Sequence, residues 1–144
     1  MEPNTHRLLS PALCGAPRRL SPGVAEVELT ACDEMRADEH GLVHGGFVFG
    51  LADHAAMLAI NEPNVVLGSA ESRFLAPVVV GEPLLARAEL ATVDGKKHRV
   101  EVVVTRAQAA DRGAGERVFE GTFTCFVPSR HVLAPRPGVE GGRP

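Results

Sequence analysis

Asp53 is the residue in this chain whose type and position fit folding alone least well. It sits in the run Gly46–Ile60, where almost every residue is apolar or small and only Asp53 and His54 can carry charge. A helix that is apolar all round has to be wrapped by other structure. A carboxylate inside it costs on the order of several kcal/mol unless something compensates it. Its neighbours at helical spacing, Phe49, Gly50, Ala56 and Met57, are apolar or small. Poor solvation raises the basicity of a carboxylate and suits it to work as a nucleophile or general base. The alternative is a buried ion pair, with Arg73 as the candidate partner, or a hydrogen bond to a loop.

Upstream, His44-Gly45-Gly46 opens the helix. The first turn of a helix offers free backbone N–H groups and the positive end of the dipole. No Ser, Thr, Asp or Asn stands immediately before it as a cap, and glycine lets a carbonyl approach closely. Fixed donors at such a place stabilise an oxyanion by roughly 2.7–4 kcal/mol each. Gly45 and Gly46 are therefore candidates to hold a carbonyl oxygen; the plainer alternative is a tight turn with close helix packing. His44, at the same turn, either shapes it or donates a hydrogen bond. His54 lies about 100° round the helix from Asp53, so the two form no facing dyad. It reads as a packing or interface histidine. The helix start and Asp53 are about 10 Å apart by helical rise, too far for one carbonyl. A partner subunit bringing its own Asp53 to this helix start would close that gap.

The elements around the helix follow from alternation and breakers. Residues 1–20 read as an arm holding a short strand near Cys14–Leu20, 21–128 as one domain, and 129–144 as a flexible Pro- and Gly-rich tail. Ala25, Val27 and Leu29 alternate with acids as a strand, and Asp33–Glu39 forms an acidic loop. After the helix stops at Asn61-Glu62-Pro63, strands are predicted over Asn64–Pro77, Pro83–Val93, Lys96–Arg106 and Glu116–Val127. Asp94-Gly95 is a hairpin turn, and 109–115 is a loop. The inward set of the last strand is Phe119, Phe123 and Cys125. Four consecutive strands joined by tight turns predict an antiparallel sheet with one helix against it, an α+β fold. The apolar flank left over predicts self-association.

Composition narrows the function classes. The 144 residues suffice for one core, and a net charge of -3 provides no basic field, so nucleic acid is not an expected partner. Polar residues interrupt every apolar run, so no membrane is expected. The N-terminus lacks the basic-then-apolar order of a secretory signal, and three scattered cysteines with no CxxC fit a reducing cytoplasm. His40 and His44 have helical i, i+4 spacing, but Gly41 and Gly45 break a helix there, so no metal is expected. Lys96, Lys97, His98 and Arg99 form a basic group at a hairpin, by default a solvated one.

With Asp53 nine residues after His44, and Leu51-Ala52 before it, this stretch resembles hotdog-fold acyl-CoA thioesterases of the phenylacetate-pathway (PaaI) type. Phe74-Leu75-Ala76-Pro77 with Gly81-Glu82 is similar to the strand end of that family. The similarity runs from about Val24 to Val127. It implies a hotdog fold, an antiparallel sheet wrapped around one long central helix. It also implies hydrolysis of acyl-CoA by a homodimer or homotetramer. In that family the helix-start glycine of one subunit, here Gly45, polarises the thioester carbonyl. The helix carboxylate of the other, here Asp53, attacks or activates water. Coenzyme A is then part of the substrate, and no separate cofactor is implied. Two positions depart from the family pattern: its frequent Asn is Asp38 here, and its Ser or Thr in the next strand falls on Gly68, beside Ser69. The substrate-binding candidates are Gly46, Ser69, Asp38, Phe74 and Arg73. The alternatives are a non-catalytic acyl-CoA-binding or regulatory module and a hotdog enoyl-CoA hydratase or dehydratase.

Overall fold

The computed structural model describes residues 1–106 and 115–135. In chain order the elements are α1 (Pro11–Cys14), β1 (Ala16–Ser21), β2 (Val24–Thr30), α2 (Gly45–Ile60), β3 (Val66–Phe74), β4 (Pro83–Asp94), β5 (Lys97–Arg106) and β6 (Arg117–Phe126). The expected loop at 109–115 falls mostly, and the tail beyond 135 wholly, outside the described residues.

All six strands join one antiparallel sheet in the order β1-β2-β4-β5-β6-β3. α2 packs against every one of them. The helix carries Ala52, Ala55, Ala56 and Ala59 on its buried sides, and these small residues let a curled sheet close on it. Val27 on β2 and the expected inward set Phe119, Phe123 and Cys125 on β6 are buried, as are Ala86 on β4 and Val102 on β5. The hairpin at Asp94-Gly95 forms with Gly95 at φ 61°, a backbone that glycine adopts without strain. The α+β architecture, one long helix held by an antiparallel sheet, is thus the expected one.

The connection between β3 and β4 is not. The tight-turn expectation would make these strands neighbours, but β3 pairs with β6 at the far edge of the sheet. Residues 75–82 then carry the chain back past β6 and β5 to β4. The crossing buries Val78, and Val79 forms a bridge to Leu42. Arg106 braces it from the end of β5, donating to Glu82, to Glu116 and to the carbonyl of Pro77. Side-chain bracing of this kind leaves no trace in local alternation.

The N-terminal residues pack along the helix. Asn61 ends α2 in the left-handed region (φ 56°), where Asn is tolerated. Its side chain accepts from the Asn4 N–H at 2.7 Å and donates to the Glu2 carbonyl at 3.0 Å. His54 is buried, with Nδ1 3.0 Å from the Cys14 carbonyl, and burial holds its pKa below the ordinary histidine value. That fits the packing role read from its position. β1, expected as a short strand near Cys14–Leu20, runs one residue past the boundary drawn for the arm and belongs to the sheet.

Gly15, between α1 and β1, has no substitute. Its φ is +91°, and a Cβ there would lie 2.7 Å from Val27 Cγ1 and 2.8 Å from Leu51 Cδ1, both fully buried side chains. Gly15→Ala combines a left-handed backbone with overpacking, and should destabilise the fold by roughly 2–4 kcal/mol. Thermal unfolding should show Tm falling by about 10 °C in a chain of this size. An unchanged Tm would mean that the arm does not pack this way.

Candidate active site

α2 begins without the side-chain cap types sought in the sequence, yet it is capped. His44 occupies the N-cap, and its Nδ1 accepts the Gly46 N–H at 2.9 Å. In the neutral ring this places the proton on Nε2, which is then a donor. The main chain of His44 is held too, its N–H donating to the carbonyl of Met35 at 2.9 Å. Met35 is a buried residue within the expected acidic loop, where Asp33–Met35 forms one 3-10 turn. Of the two glycines, therefore, Gly46 has its N–H engaged. Gly45, the first helical residue, has no intrahelical acceptor for its own.

Gly45 also faces Phe74. A Cβ at Gly45 would lie 3.2 Å from Phe74 Cε1, so only a glycine fits under that ring comfortably. Phe74 is exposed and meets Phe119 edge-on at 5.1 Å. Between the helix start and the segment after β3 lies a cleft of about 290 Å³ that includes Val43, Val48, Val78 and Val118 in its walls.

Asp53 lies two turns further along α2 and partly buried. Its Oδ1 is buried with no hydrogen-bond partner, the one such side-chain atom among the described residues. Burial alone pushes its pKa up to about 6. Among the ion pairs of the described residues none involves Asp53, so the Arg73 pairing considered for it does not form. Phe49, one turn earlier, packs tilted on Phe123 at 5.3 Å and edge-on to Phe119 at 6.3 Å, walling that side with apolar surface. Cys125 lies near enough that the charge of Asp53 adds to burial in pushing its thiol up to about 12. A carboxylate kept basic by burial, without a cation to hold it ionised, is suited to accept a proton or attack a carbonyl.

The other candidates separate. A register shift between Leu67 and Ser69 turns Ser69 to the outer face of β3, opposite Thr124. There it lines an outer cavity of about 490 Å³ with Glu71, Arg99 and Glu101. Arg73, opposite Glu120, points the same way, while Phe74 opposite Phe119 points to the helix. Gly68 marks the shift; a Cβ there would collide with the ring of Phe126. Asp38 is spent on its own loop, accepting from the N–H groups of His40 at 2.9 Å and Leu42 at 3.2 Å. Within one chain, then, Gly45, His44 and Phe74 come together, Asp53 stands apart along the same helix, and Ser69 and Arg73 lie on the opposite face. Arg106, absent from the sequence candidates, fixes the wall of the cleft. Its signal was its place at a strand end, before an expected loop that holds Gly113 and Gly115.

The thioesterase superfamily family model matches residues 40–111, half of the chain and the whole of α2. The chain belongs to the thioesterase superfamily. An uncharacterized protein from Pyrococcus horikoshii is 54% identical, with a TM-score of 0.86 over 93% of this chain and 98% of that one. A mutant of the phenylacetic acid degradation protein PaaI from Thermus thermophilus is 29% identical, with a TM-score of 0.69 over 81% of this chain and 95% of that one. The hotdog fold inferred from His44-Gly45-Gly46 and Asp53 is thus the fold of this thioesterase-superfamily chain. A curated relative is 42% identical over 128 residues, the methylthioribose-1-phosphate isomerase of Aquifex aeolicus (strain VF5). The match takes in 88% of this superfamily member but only 26% of that isomerase's length.

Proposed function

We propose that the protein hydrolyses acyl-CoA thioesters, with Asp53 as nucleophile or general base and the Gly45 N–H as oxyanion donor, across a dimer. The observation that carries this reading is a buried carboxylate oxygen with no partner, on the same helix whose first residue, Gly45, has no intrahelical acceptor for its N–H. The thioester oxygen accepts the Gly45 N–H. Asp53 then adds to the carbonyl carbon, or takes a proton from a water that adds. The C–S bond breaks as the tetrahedral intermediate collapses, and coenzyme A leaves as the thiolate. Water completes the sequence where Asp53 has formed an anhydride. His44 supports the turn and offers its Nε2–H to the same oxygen.

Two features support the dimer. Gly45 and Asp53 are eight positions apart on one helix, or about 12 Å by helical rise, against the roughly 3–3.5 Å of a reacting contact. In addition, β3 is an edge strand of the sheet among the described residues, and Leu42, Phe74, Leu75 and Val79 are exposed around the helix start. A second copy laid there covers the apolar surface and brings its own Asp53 to the carbonyl.

Release of free thiol from a panel of acyl-CoAs tests the proposal directly. Asp53 works only when ionised, so kcat/KM should rise about tenfold per pH unit below pH about 6 and level off above it. A profile whose acid limb sits near the ordinary Asp value would remove Asp53 from this role. The match to about a quarter of an isomerase favours a second reading, an acyl-CoA-binding regulatory module attached to another activity. Tight binding of acyl-CoA with no turnover of any substrate would decide for it.

A further inference from the structure

We propose that Arg106 is a positioning residue for the start of α2: with Glu82 it fixes the place of the Gly45 N–H, acting through the chain that leads into the helix. What Gly45 does there rests on the thioesterase reading of the site. What holds it is visible in the bonding of the residues just before it.

A helix start is placed by the chain that enters it. Here residues 41–44 form the middle of a short ladder of three segments. On one side the Ala37 N–H donates to the Leu42 carbonyl at 2.7 Å, and the His44 N–H donates to that of Met35 at 2.9 Å. On the other side the Val43 N–H donates to the Val78 carbonyl at 2.8 Å, and the Val80 N–H to that of Gly41 at 2.9 Å. Antiparallel bridges from Arg36 to Val43 and from Leu42 to Val79 complete the ladder. The outer segment is thus the crossing between β3 and β4.

Residues 75–82 belong to none of the six strands, so their place depends on what holds their ends. At the first end the Leu75 N–H donates to the Val118 carbonyl at 2.8 Å. At the last, the Glu82 carbonyl accepts the Ala31 N–H at 3.0 Å, and Glu82 Oε1 accepts the Val79 N–H at 2.7 Å. Arg106 joins the two ends. Its Nη1 donates to the same Glu82 Oε1, its Nη2 to the Pro77 carbonyl at 3.1 Å, and both Nη2 and Nε to Glu116. Every nitrogen of the guanidinium has an acceptor, on three separate residues. A planar fork meets such a set, and a single ammonium on a flexible stem does not. The Arg106 and Glu82 side chains are only 18% and 26% exposed, so salt screens this pair less than one at the surface.

A donor held in place before the reaction favours the transition state over the bound substrate. Loosening the crossing frees residues 41–43 and lets the Gly45 N–H drift, and a misplacement of about 1 Å costs on the order of 10²-fold in rate. Asp53, two turns along α2, forms no ion pair with Arg106, and the sheet packed around the helix keeps it where it is.

The test compares the wild type with Arg106→Lys and Arg106→Ala. Arg87→Lys is the control, since Arg87 pairs with Glu26 on the exposed face of the sheet and should leave kcat unchanged. Arg106→Lys should lower kcat by about 10- to 100-fold, with KM within about threefold and the acid limb of the pH profile unmoved. Arg106→Ala should lose at least as much, and regain about tenfold in kcat when ethylguanidinium is added, because that ion refits the vacated acceptors. General damage to the fold is not repaired in this way. Amide hydrogen exchange, followed without substrate, should quicken at Val43 and Val80 in both variants and stay at the wild-type rate in the middle of β4 and β5. Unchanged exchange at Val43 and Val80 overturns the proposal. So does loosened exchange with an undiminished kcat, a loss that falls on KM alone, or a loss that ethylguanidinium does not relieve. A wild type that turns over no acyl-CoA, with Val43 and Val80 loosened in both variants, defeats hydrolysis and keeps Arg106 as the tether of the helix start.

Discussion

Asp53→Asn should lower kcat/KM for acyl-CoA by about 10²–10⁴-fold and, at neutral pH, leave the protein more stable than the wild type. The two effects share a cause. The carboxylate has an ordinary value of 3.8 when exposed and about 6 in the fold, a rise produced by burial. A pKa raised by folding means that the folded state binds the proton more tightly. The resulting stability is fully present below pH about 4 and is lost as pH rises through about 6. Above that, the folded chain carries the whole cost of an ionised carboxylate with a buried, unpartnered oxygen, up to roughly 3 kcal/mol. Asparagine has the same shape and no charge. Its own unpaired N–H offsets part of the gain, leaving about 1–2 kcal/mol at pH 8 and none at pH 4. Urea unfolding at the two pH values, alongside thiol release, checks both halves. A variant that keeps its turnover sinks the catalytic assignment. One that loses stability at pH 8 shows that Asp53 has a structural partner after all.

That trade-off also explains why Asp53 stands out as a candidate in the sequence. Asp53 contradicts every local rule of the helix around it, and such contradictions collect where activity, not stability, is selected. The helix and the inward faces of β2, β4, β5 and β6 were legible because burial imposes a period, and Val27, Val102 and Phe123 obey it. What escaped was set by geometry without a period. β3 leaves its sequence neighbour for the opposite edge because residues 75–82 are braced by Arg106, a contact made across 24 to 29 positions of sequence. The extra residue at Gly68 turned Ser69 away from the helix, since one slip of register exchanges the faces of a strand. His44 capped the helix through its ring, a role that the usual short polar caps do not advertise. The spacing of His44 and Asp53 survived all of this, because it lies within one element.

The same spacing yields a prediction about assembly. Gly45→Val should abolish activity by a route independent of Asp53, since its side chain would fill the space under Phe74, where even a Cβ comes within 3.2 Å of the ring. Mixed with Asp53→Asn by joint unfolding and refolding, it should restore activity from near background to about a quarter of the wild-type level, by random pairing in a symmetric dimer. The reason is positional. Half of the dimers then contain one chain of each kind. In those, one site combines both defects, and the other combines the intact Asp53 of the Gly45→Val chain with the intact Gly45 of the Asp53→Asn chain. A site built within one chain predicts no recovery, because every chain in the mixture carries a defect. Recovery near a quarter, growing as the mixture is balanced, assigns the two halves to different subunits. Its absence, with mixed dimers confirmed by mass, would return both halves to one chain and require α2 to bridge about 12 Å in another way.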